Sequence, residues 1–447
     1  MSNVPDSEEN NAEVTGRYLI FFDPKSLLEV SSMASNKAGI AMPATAEEAQ
    51  AATITEEWRE ADTVVIPSLG VAICSTPPEQ ISLLEAGGSS PIRYVRPEYV
   101  FTIADVPQDF GEVTIAREYL RGYKAGYSAG SSVGVNRLIE DLLGQESQSA
   151  LETALLSEFT FKDNEEFTWG LQATGVNESE LTGQGVRVAV LDTGYTADHP
   201  DFVNRDVTSQ SFIEGVPTAA DDHGHGTHCL GTVGGPRIAS QGPRYGIASD
   251  AQLFVGKVMK ASGKGNEGDI LHGIGWAIQN NCRIVSLSLG KPVLPGEQPD
   301  KLYEEIGSVA LQKNCLIVAA AGNDSLRPDK IKPVNMPANS KTIMAVGAIN
   351  RRLQLYFGSN GGINPEGGNV DLVAPGVDVR SSKRRPLLFG PDTGTSMAAP
   401  HVAGIAALIM QANPIATAEQ IWAKLMQNAQ TLNLLSRDVG KGLVKAL

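Results

Sequence analysis

The chain has 447 residues, of which 36 are Lys or Arg and 51 are Asp or Glu, so its formal net charge is −15. This acidic excess argues against a nucleic-acid-binding protein, because such proteins need basic side chains to neutralise phosphates. Hydrophobic residues make up 42% of the chain, which excludes global disorder, and the length suggests two or three domains. We therefore expect no nucleic-acid partner.

The four cysteines are too few for a disulfide-stabilised scaffold, so we expect reduced thiols. No stretch of the sequence has the length and apolarity of a membrane-spanning helix, and no membrane partner is expected. Residues 1–16 contain no apolar signal segment. The sequence therefore predicts a cytoplasmic protein, or a secreted one if a signal segment has been removed.

The first third of the chain divides into three segments. Residues 1–16 are polar and acidic and predict a disordered tail. Residues 17–105 predict a small α+β domain, because strand-like apolar runs alternate with helical spacing. These runs are residues 18–22, 71–74 and 92–103, with a short helix predicted over 78–86. Residues 106–165 predict a partly helical connector, with helical spacing over 136–156.

Residues 166–447 show an α/β pattern in which apolar strands alternate with helices. Strands are predicted at 186–191, 252–259, 283–289, 315–321 and 342–349, and helices at 270–279 and 302–312. Continuous apolar strands between helices are typical of a parallel sheet covered by helices on both faces. Ligand sites in such sheets lie at the carboxyl ends of the strands, so reactive side chains are expected at those positions.

Two motifs in this segment contain acidic or imidazole groups. Val-Leu-Asp192-Thr-Gly is an apolar strand ending in a carboxylate, which must be paired there or serve as a turn or helix cap. His223-Gly-His225-Gly-Thr-His228 invites a zinc interpretation, but the spacing is not that of common zinc sites. One neutral imidazole at the start of a helix could instead accept a proton.

Two further motifs complete a set of reactive groups. Gly394-Thr-Ser396 opens an apolar helix, so the serine either caps the helix or acts where backbone N–H groups stabilise an anion. Gly322-Asn323 follows a strand, and its amide either closes a turn or donates to an oxyanion. Together with the carboxylate and the imidazole, these groups are the parts of acyl transfer.

The motifs Val-Leu-Asp-Thr-Gly, His-Gly-Thr-His and Gly-Thr-Ser-Met-Ala, in this order, resemble those of the subtilisin-family (subtilase) serine endopeptidases. The resemblance covers residues 167–447 and implies a subtilisin-like α/β fold. It also implies that Asp192 orients His225, that His225 is the general base and acid, and that Ser396 is the nucleophile. Asn323 would then be the oxyanion donor. The Cys after the second histidine resembles the proteinase K branch and implies that Cys229 lies close to His225.

The resemblance further implies protein or peptide substrates that bind as an added β-strand. The residues implied in substrate binding are Ser288, Leu289, Gly290, Lys264, Gly265, Gly322 and Asn335. Asp324 would border the pocket for the residue before the scissile bond. Glu267 stands where the family often has an aromatic residue, so a preference for a large apolar side chain four residues before the scissile bond is not expected.

Residues 17–103 resemble, more weakly, the inhibitor-like propeptide of this family, a ferredoxin-like α+β domain. This implies a zymogen that cuts itself between residues 104 and 167, with its own propeptide as intramolecular inhibitor. A monomer is expected. No cofactor is required for the chemistry and no metal ligands are assigned. Structural calcium is left open, because Asp201 matches a family ligand while the loop 236–244 does not match a calcium loop.

Three alternative functions remain at this point. Asp-Thr-Gly occurs at both Asp192 and Asp392, as in a two-lobed aspartic peptidase. Residues 263–268 fit a dinucleotide fingerprint after a strand, although no acidic residue ends the next strand. The chain could also be a latent protease or a non-catalytic scaffold with the protease fold.

Overall fold

The computed structural model describes residues 12–49, 62–84, 90–103 and 161–447. We refer to residues 12–103 as the N-terminal domain and to residues 161–447 as the C-terminal domain. The predicted helix over 136–156 and most of the predicted connector lie outside the described residues.

The N-terminal domain has the β-α-β-β-α-β order of a ferredoxin-like fold. Its elements are β1 (Val14–Phe22), α1 (Leu27–Met33), β2 (Thr63–Ile66), β3 (Val71–Cys74), α2 (Pro78–Ile81) and β4 (Ile92–Ile103), with a 3-10 turn at Pro24–Ser26 and a π turn at Ala34–Ala38. All neighbouring strands are antiparallel, in the order β4-β1-β3-β2. The expected α+β ferredoxin-like domain is present.

The two faces of this sheet have different partners. Side chains alternate between the faces of a strand, and along β1 they enter two separate apolar clusters. Ile20 and Phe22 pack with α1, whereas Leu19 and Phe21 belong to the cluster that continues into the C-terminal domain. One face therefore forms the core of the N-terminal domain, and the other packs against its neighbour.

Two predicted boundaries are wrong. β1 begins at Val14, inside the predicted tail, because Val100 N–H donates to the Glu13 carbonyl and the Thr15 hydroxyl donates to Glu98. Residues 1–11 lie outside the described residues. At the other end, Phe161 packs on the C-terminal domain and donates its N–H to a backbone carbonyl 3.1 Å away, so residues 161–165 extend that domain rather than the connector.

The C-terminal domain is built on a sheet of seven parallel strands, β5 (Arg187–Asp192), β6 (Val207–Ser211), β7 (Gln252–Lys257), β9 (Ile284–Leu287), β11 (Leu316–Ala320), β12 (Met344–Ile349) and β13 (Leu372–Pro375). Their order across the sheet is β13-β12-β11-β9-β5-β7-β6. Every residue of β9, β11 and β12 is buried, so both faces of the sheet are covered. The predicted parallel α/β sheet is confirmed.

Helices and short strands complete the domain. The helices are α3 (Trp169–Thr174), α4 (His225–Gly234), α5 (Glu267–Gln279), α6 (Lys301–Gln312), α7 (Thr395–Ala412), α8 (Ala418–Asn428) and α9 (Ser436–Val439), with a 3-10 turn at Val176–Glu178. β8 (Lys264–Asn266) and β10 (Leu289–Gly290) flank a groove, and β14 (Val379–Ser382) pairs with β15 (Phe389–Asp392). α7 is rich in Ala and almost entirely buried against α4 and the sheet. Of the helices described, none is both long and apolar enough to cross a membrane.

β4 joins the two domains. One edge of this strand pairs with β1, while its last residues pair antiparallel with β8 and β10. The N-terminal sheet therefore continues across the groove of the C-terminal domain as one six-stranded sheet.

Candidate active site

Asp192 and His225 meet in the buried interior. Asp192 ends β5, and its Oδ1 atom lies 2.8 Å from Nδ1 of His225, the first residue of α4. Burial lowers the pKa of His225, but the charge of Asp192 raises it, and the net pKa lies well above its ordinary value. The two side chains are arranged as a base and its orienting carboxylate.

A second carboxylate, which the sequence analysis missed, links the segments that carry this pair. Oδ1 of Asp221 accepts hydrogen bonds from the Thr193 hydroxyl (2.9 Å) and the Gly224 N–H (2.7 Å). Oδ2 accepts from the N–H (2.9 Å) and the hydroxyl (2.6 Å) of Thr227. Burial alone would raise the pKa of Asp221, but these donors bring it below its ordinary value. An Asp a few residues before the start of a helix is typical of helix capping, and this pattern could have identified Asp221 from the sequence.

A buried cation also lies beside the pair. Lys257 ends β7 in register with Asp192, and its Nζ is fully buried. The ammonium donates to Oδ1 of Asp222 (2.7 Å), to the Thr193 carbonyl (2.7 Å) and to the Met259 carbonyl (3.1 Å). Three acceptors therefore fix the Lys257 ammonium beside Asp222. Inside an apolar run, a single lysine gives no sequence signal for such a role.

Ser396 is the second residue of α7, and its backbone is held from outside the helix. Pro400, four residues later, has no N–H, so the Ser396 carbonyl lacks its usual helical donor. The Ser288 hydroxyl donates to this carbonyl at 2.8 Å, and Sγ of Cys229 does so at 3.5 Å. The Ser396 hydroxyl donates to the Ser288 carbonyl at 3.3 Å. Cys229 Sγ also lies 3.8 Å from Nδ1 of His225, so the serine and the histidine share a buried neighbour.

Asn323 lies at the carboxyl end of β11 and faces the start of α7. Its Oδ1 accepts hydrogen bonds from the N–H (2.9 Å) and the hydroxyl (3.0 Å) of Thr395. The Thr395 hydroxyl also lies 3.1 Å from the Gly322 N–H, which donates to it. The amide is therefore held by its oxygen next to Ser396, with its NH₂ group as the donating end.

The groove beside these residues holds a strand of the chain itself. The register pairs are Phe101 with Gly265, Thr102 with Lys264, Thr102 with Gly290 and Ile103 with Leu289. Ile103 also donates its N–H to the Gly263 carbonyl at 2.9 Å. A Cβ on Gly265 would lie 2.5 Å from the Val258 carbonyl, so the narrow packing of β8 requires glycine there. Both segments that are predicted to bind substrate thus pair with the antiparallel strand β4, and the register of β4 runs toward Ser288.

Asn335 lies next to the groove in a network of amides. Its Nδ2 donates to Oδ2 of Asp324 at 2.8 Å, and Nδ2 of Asn360 donates to the same oxygen at 2.9 Å. A Cβ on Gly322 would lie 2.5 Å from Nδ2 of Asn335, and one on Gly290 would lie 3.2 Å from its Cβ. The structure therefore brings the predicted pocket residues together.

The groove also holds a large apolar side chain of β4, although the expectation about substrate preference four residues before the scissile bond stays a prediction. Phe101 of β4 is 0% exposed and packs with its ring centroid 5.9 Å from that of Tyr303. Glu267 does not fill this space, because its carboxylate accepts hydrogen bonds from Arg96 and from the Tyr99 N–H instead. A large apolar side chain is accommodated at this position.

The remaining histidine of the His-Gly-Thr-His motif does not point toward a shared metal. His228 Nε2 lies 2.8 Å from the Val379 carbonyl, and burial lowers the pKa of His228 to about 4. Ligand atoms of Asp192, His225 and Cys229 lie within 4.8 Å of one another. Burial raises the pKa of Cys229 to about 11, so a metal would first have to displace the thiol proton.

Asp201 does not fit a calcium site. Its Oδ1 accepts the Ser240 N–H at 2.7 Å, and its Oδ2 accepts the Tyr245 hydroxyl at 2.6 Å. Calcium needs six to eight oxygen ligands, whereas these neighbours present hydrogens to the carboxylate. The Tyr245 hydroxyl and the Ser240 amide therefore occupy the position that an ion would take.

Two alternatives from the sequence fail on geometry. Asp392 forms an ion pair with Lys383 on the β14–β15 hairpin, while Asp192 bonds to His225, so the two Asp-Thr-Gly motifs do not form a carboxylate dyad. Within residues 263–268, Lys264–Asn266 is a strand paired with β4, which is not the conformation of a phosphate-binding loop.

Comparison with models of protein families matches residues 183–442 to the Subtilase family. Subtilisin Savinase of Lederbergia lenta is 37% identical over 281 residues, covering 62% of this chain and 96% of the relative. An alkaline protease of Alkalihalobacillus alcalophilus is also 37% identical, covering 62% and 68%. An intracellular serine protease of Paenibacillus polymyxa is 35% identical over 277 residues, covering 60% and 80%. With the buried Asp192–His225 pair and Ser396 at the start of α7, these similarities show that the chain belongs to the subtilase family of serine endopeptidases.

Proposed function

We propose that Ser396, His225 and Asp192 carry out peptide hydrolysis through an acyl-enzyme. The Ser396 Oγ attacks the scissile carbonyl carbon while Nε2 of His225 takes its proton. The same proton then passes to the leaving amine as the peptide C–N bond breaks. Water attacks the acyl-enzyme, His225 again accepts and returns a proton, and the carboxylic acid product leaves. The observation that carries this proposal is the buried 2.8 Å contact between Asp192 and His225.

Asn323 is the proposed side-chain donor to the tetrahedral oxyanion, alongside the Ser396 backbone N–H. The support is that Thr395 holds the amide by its oxygen at the first turn of α7. A donor fixed before the reaction needs no reorganisation when negative charge develops on the substrate oxygen. The helix N-terminus adds a favourable dipole at the same place.

Substrates are proposed to bind as an antiparallel strand in the groove between β8 and β10. The support is the position of β4, which makes such pairings with Gly265 and Gly290. Main-chain hydrogen bonds of this kind supply affinity without sequence specificity, while side-chain pockets select the residue type. Gly322 and Asn335 border the proposed pocket for the residue before the scissile bond, and the Phe101 site takes an apolar side chain.

The N-terminal domain is proposed to inhibit the C-terminal domain of the same chain. While β4 fills the groove, no substrate strand can enter it. We further propose that the chain cuts itself shortly after Ile103, within the residues outside the described part, because the register of β4 leads toward Ser288 and the nucleophile. After release of this domain, the enzyme is proposed to act as a monomer in the cytoplasm, which fits the four free cysteines.

A fluorophosphonate probe tests both the active serine and the inhibition. The full chain is incubated alone, its new termini are mapped by mass spectrometry, and probe labelling is followed over time. We expect a cut shortly after residue 103, followed by labelling of Ser396 and cleavage of a peptide library. The Ser396→Ala chain should show neither event. Cutting that persists in Ser396→Ala contradicts self-processing, and a processed chain that never labels would favour the non-catalytic scaffold.

A further inference from the structure

A second recognition site lies beside the groove, at the upstream end of the bound strand. It consists of Glu267, the first residue of α5, and Asp300, the residue that caps α6. We call these two side chains the acidic pocket. Asp300 uses Oδ1 to accept the Leu302 N–H at 2.8 Å, so its other oxygen is held in a fixed direction. The pocket is therefore part of the rigid C-terminal domain.

An arginine of the N-terminal domain fills this pocket. Both terminal nitrogens of Arg96 donate to the Glu267 carboxylate, at 2.8 and 2.7 Å, in a two-pronged arrangement. The Nε atom lies 3.1 Å from Oδ2 of Asp300. The guanidinium also stacks 4.7 Å from the ring of Tyr99. A planar fork matched to a carboxylate is the geometry that distinguishes arginine from lysine.

The Glu267 carboxylate is paired through β4. With β4 in the groove its side chain is 0% exposed, and a carboxylate buried in this way is costly unless a cation or hydrogen-bond donors pair with it. Three hydrogen bonds reach it from β4, two from Arg96 and one from the Tyr99 N–H at 3.1 Å. When β4 leaves the groove, all three are lost, and a substrate strand in the same groove is placed to replace them.

The pocket adjoins the part of the groove that holds Phe101. Tyr303, on α6 close to Asp300, packs against Phe101, which pairs with Gly265 of β8. A side chain reaching Glu267 must therefore come from substrate residues upstream of the one that occupies the Phe101 position. We infer that the enzyme selects substrates carrying an arginine upstream of an apolar residue, with Glu267 and Asp300 as its receptor. This inference rests on the proposed binding of substrates as a strand in the groove.

Quenched fluorescent peptides test this preference on the self-processed enzyme. The parent peptide has the sequence of residues 94–108, and its variants replace Arg96 by Gln or Lys. Two more move the arginine to the position of Glu98 or Tyr99, with Gln at position 96. Each kcat/KM is measured with the wild-type enzyme, with Glu267→Gln and with Glu305→Gln. Glu305 is the matched control, because it is an exposed carboxylate on α6 that pairs with Arg93 outside the pocket.

We expect at least one arginine peptide to exceed its Gln counterpart by at least about tenfold in kcat/KM, because removing one partner from a desolvated charge pair costs more than the free energy of a tenfold change. The Lys peptide should lie between the two. In Glu267→Gln the ratio should fall below about twofold, and in Glu305→Gln it should stay at the wild-type value. Equal cleavage of all peptides by the wild-type enzyme overturns the arginine preference while leaving the proposed endopeptidase intact. Cleavage of none of them contradicts the proposed function itself.

Discussion

The Ser288 hydroxyl donates to the Ser396 carbonyl at 2.8 Å, which supplies the donor that Pro400 cannot provide. Ser288→Ala should therefore lower the free energy of unfolding by about 1–3 kcal/mol, because a buried carbonyl loses a partner. Pro400→Ala restores a helical N–H, so the same Ser288→Ala change should cost less in that background. Urea unfolding of the four chains, all carrying Ser396→Ala to prevent self-digestion, measures this coupling. Equal costs in both backgrounds would contradict the compensation.

Replacing Asn323 by Leu should remove the proposed oxyanion donor. We expect kcat to fall by about 10²–10³-fold, equivalent to about 2.7–4 kcal/mol of transition-state stabilisation, with little change in KM. Steady-state kinetics on a short peptide measures the effect, and thermal unfolding checks that the fold persists. A loss of only a few-fold in kcat would remove Asn323 from this role.

The pH dependence of activity should reflect the raised pKa of His225. Since the imidazole must be neutral to accept the Ser396 proton, activity should be low at acidic pH and rise with pH through a value above the ordinary 6.5. Asp192→Asn removes the charge that raises this pKa, so the rise should move to lower pH while kcat falls about 10⁴-fold. Profiles of kcat/KM from pH 5 to 10 test both shifts. An unchanged midpoint in Asp192→Asn would show that the carboxylate does not set the pKa.

A mercurial should inactivate the enzyme slowly through Cys229. The thiol is buried, and its pKa of about 11 keeps it protonated, so modification should be slow in the folded enzyme. Once bound, a bulky group 3.8 Å from Nδ1 of His225 should displace the imidazole. Labelling followed by mass spectrometry gives the stoichiometry. The Cys229→Ala enzyme, whatever its starting rate, should lose no further activity, and full activity after stoichiometric labelling of Cys229 would reject the contact.

Stability near Asp201 should depend on Tyr245 and not on calcium. Tyr245→Phe removes a hydrogen bond to a buried carboxylate and should lower the free energy of unfolding by about 1–3 kcal/mol. A chelator should leave the midpoint of urea unfolding unchanged in Ser396→Ala chains with and without Tyr245→Phe. If the chelator instead lowers the urea midpoint of the chain that retains Tyr245 to that of the Tyr245→Phe chain, calcium is bound at Asp201.

Local sequence was sufficient where one property dominates a segment. The buried parallel strands appear as apolar runs, so β5, β9, β11 and β12 were predicted to within two residues of their bounds. β6 (Val207–Ser211) was missed because it is a polar, partly exposed edge strand without such a run. The roles of Asp192, His225, Ser396 and Asn323 remain predictions. The structure brings these four residues to a common site.

Contacts between distant segments could not be predicted. Arg96 and Glu267 are separated by 171 positions, and no sequence pattern links the two residues. The hydrogen bond from Ser288 to the Ser396 carbonyl, which replaces the N–H that Pro400 lacks, likewise depends on tertiary packing. In both cases the hydrogen-bond partners lie far apart in the sequence, so no local sequence pattern identifies them.

β4 shares hydrogen bonds with strands of both domains, so a cut after Ile103 would break a covalent bond without breaking the sheet. Cleavage within one molecule proceeds at a rate independent of concentration, whereas escape of the severed domain depends on dissociation. An enzyme molecule whose N-terminal domain has dissociated can digest the N-terminal domains of other molecules. Activity should therefore emerge after a lag that shortens as the enzyme concentration rises, even though the cut itself follows the same time course at every concentration.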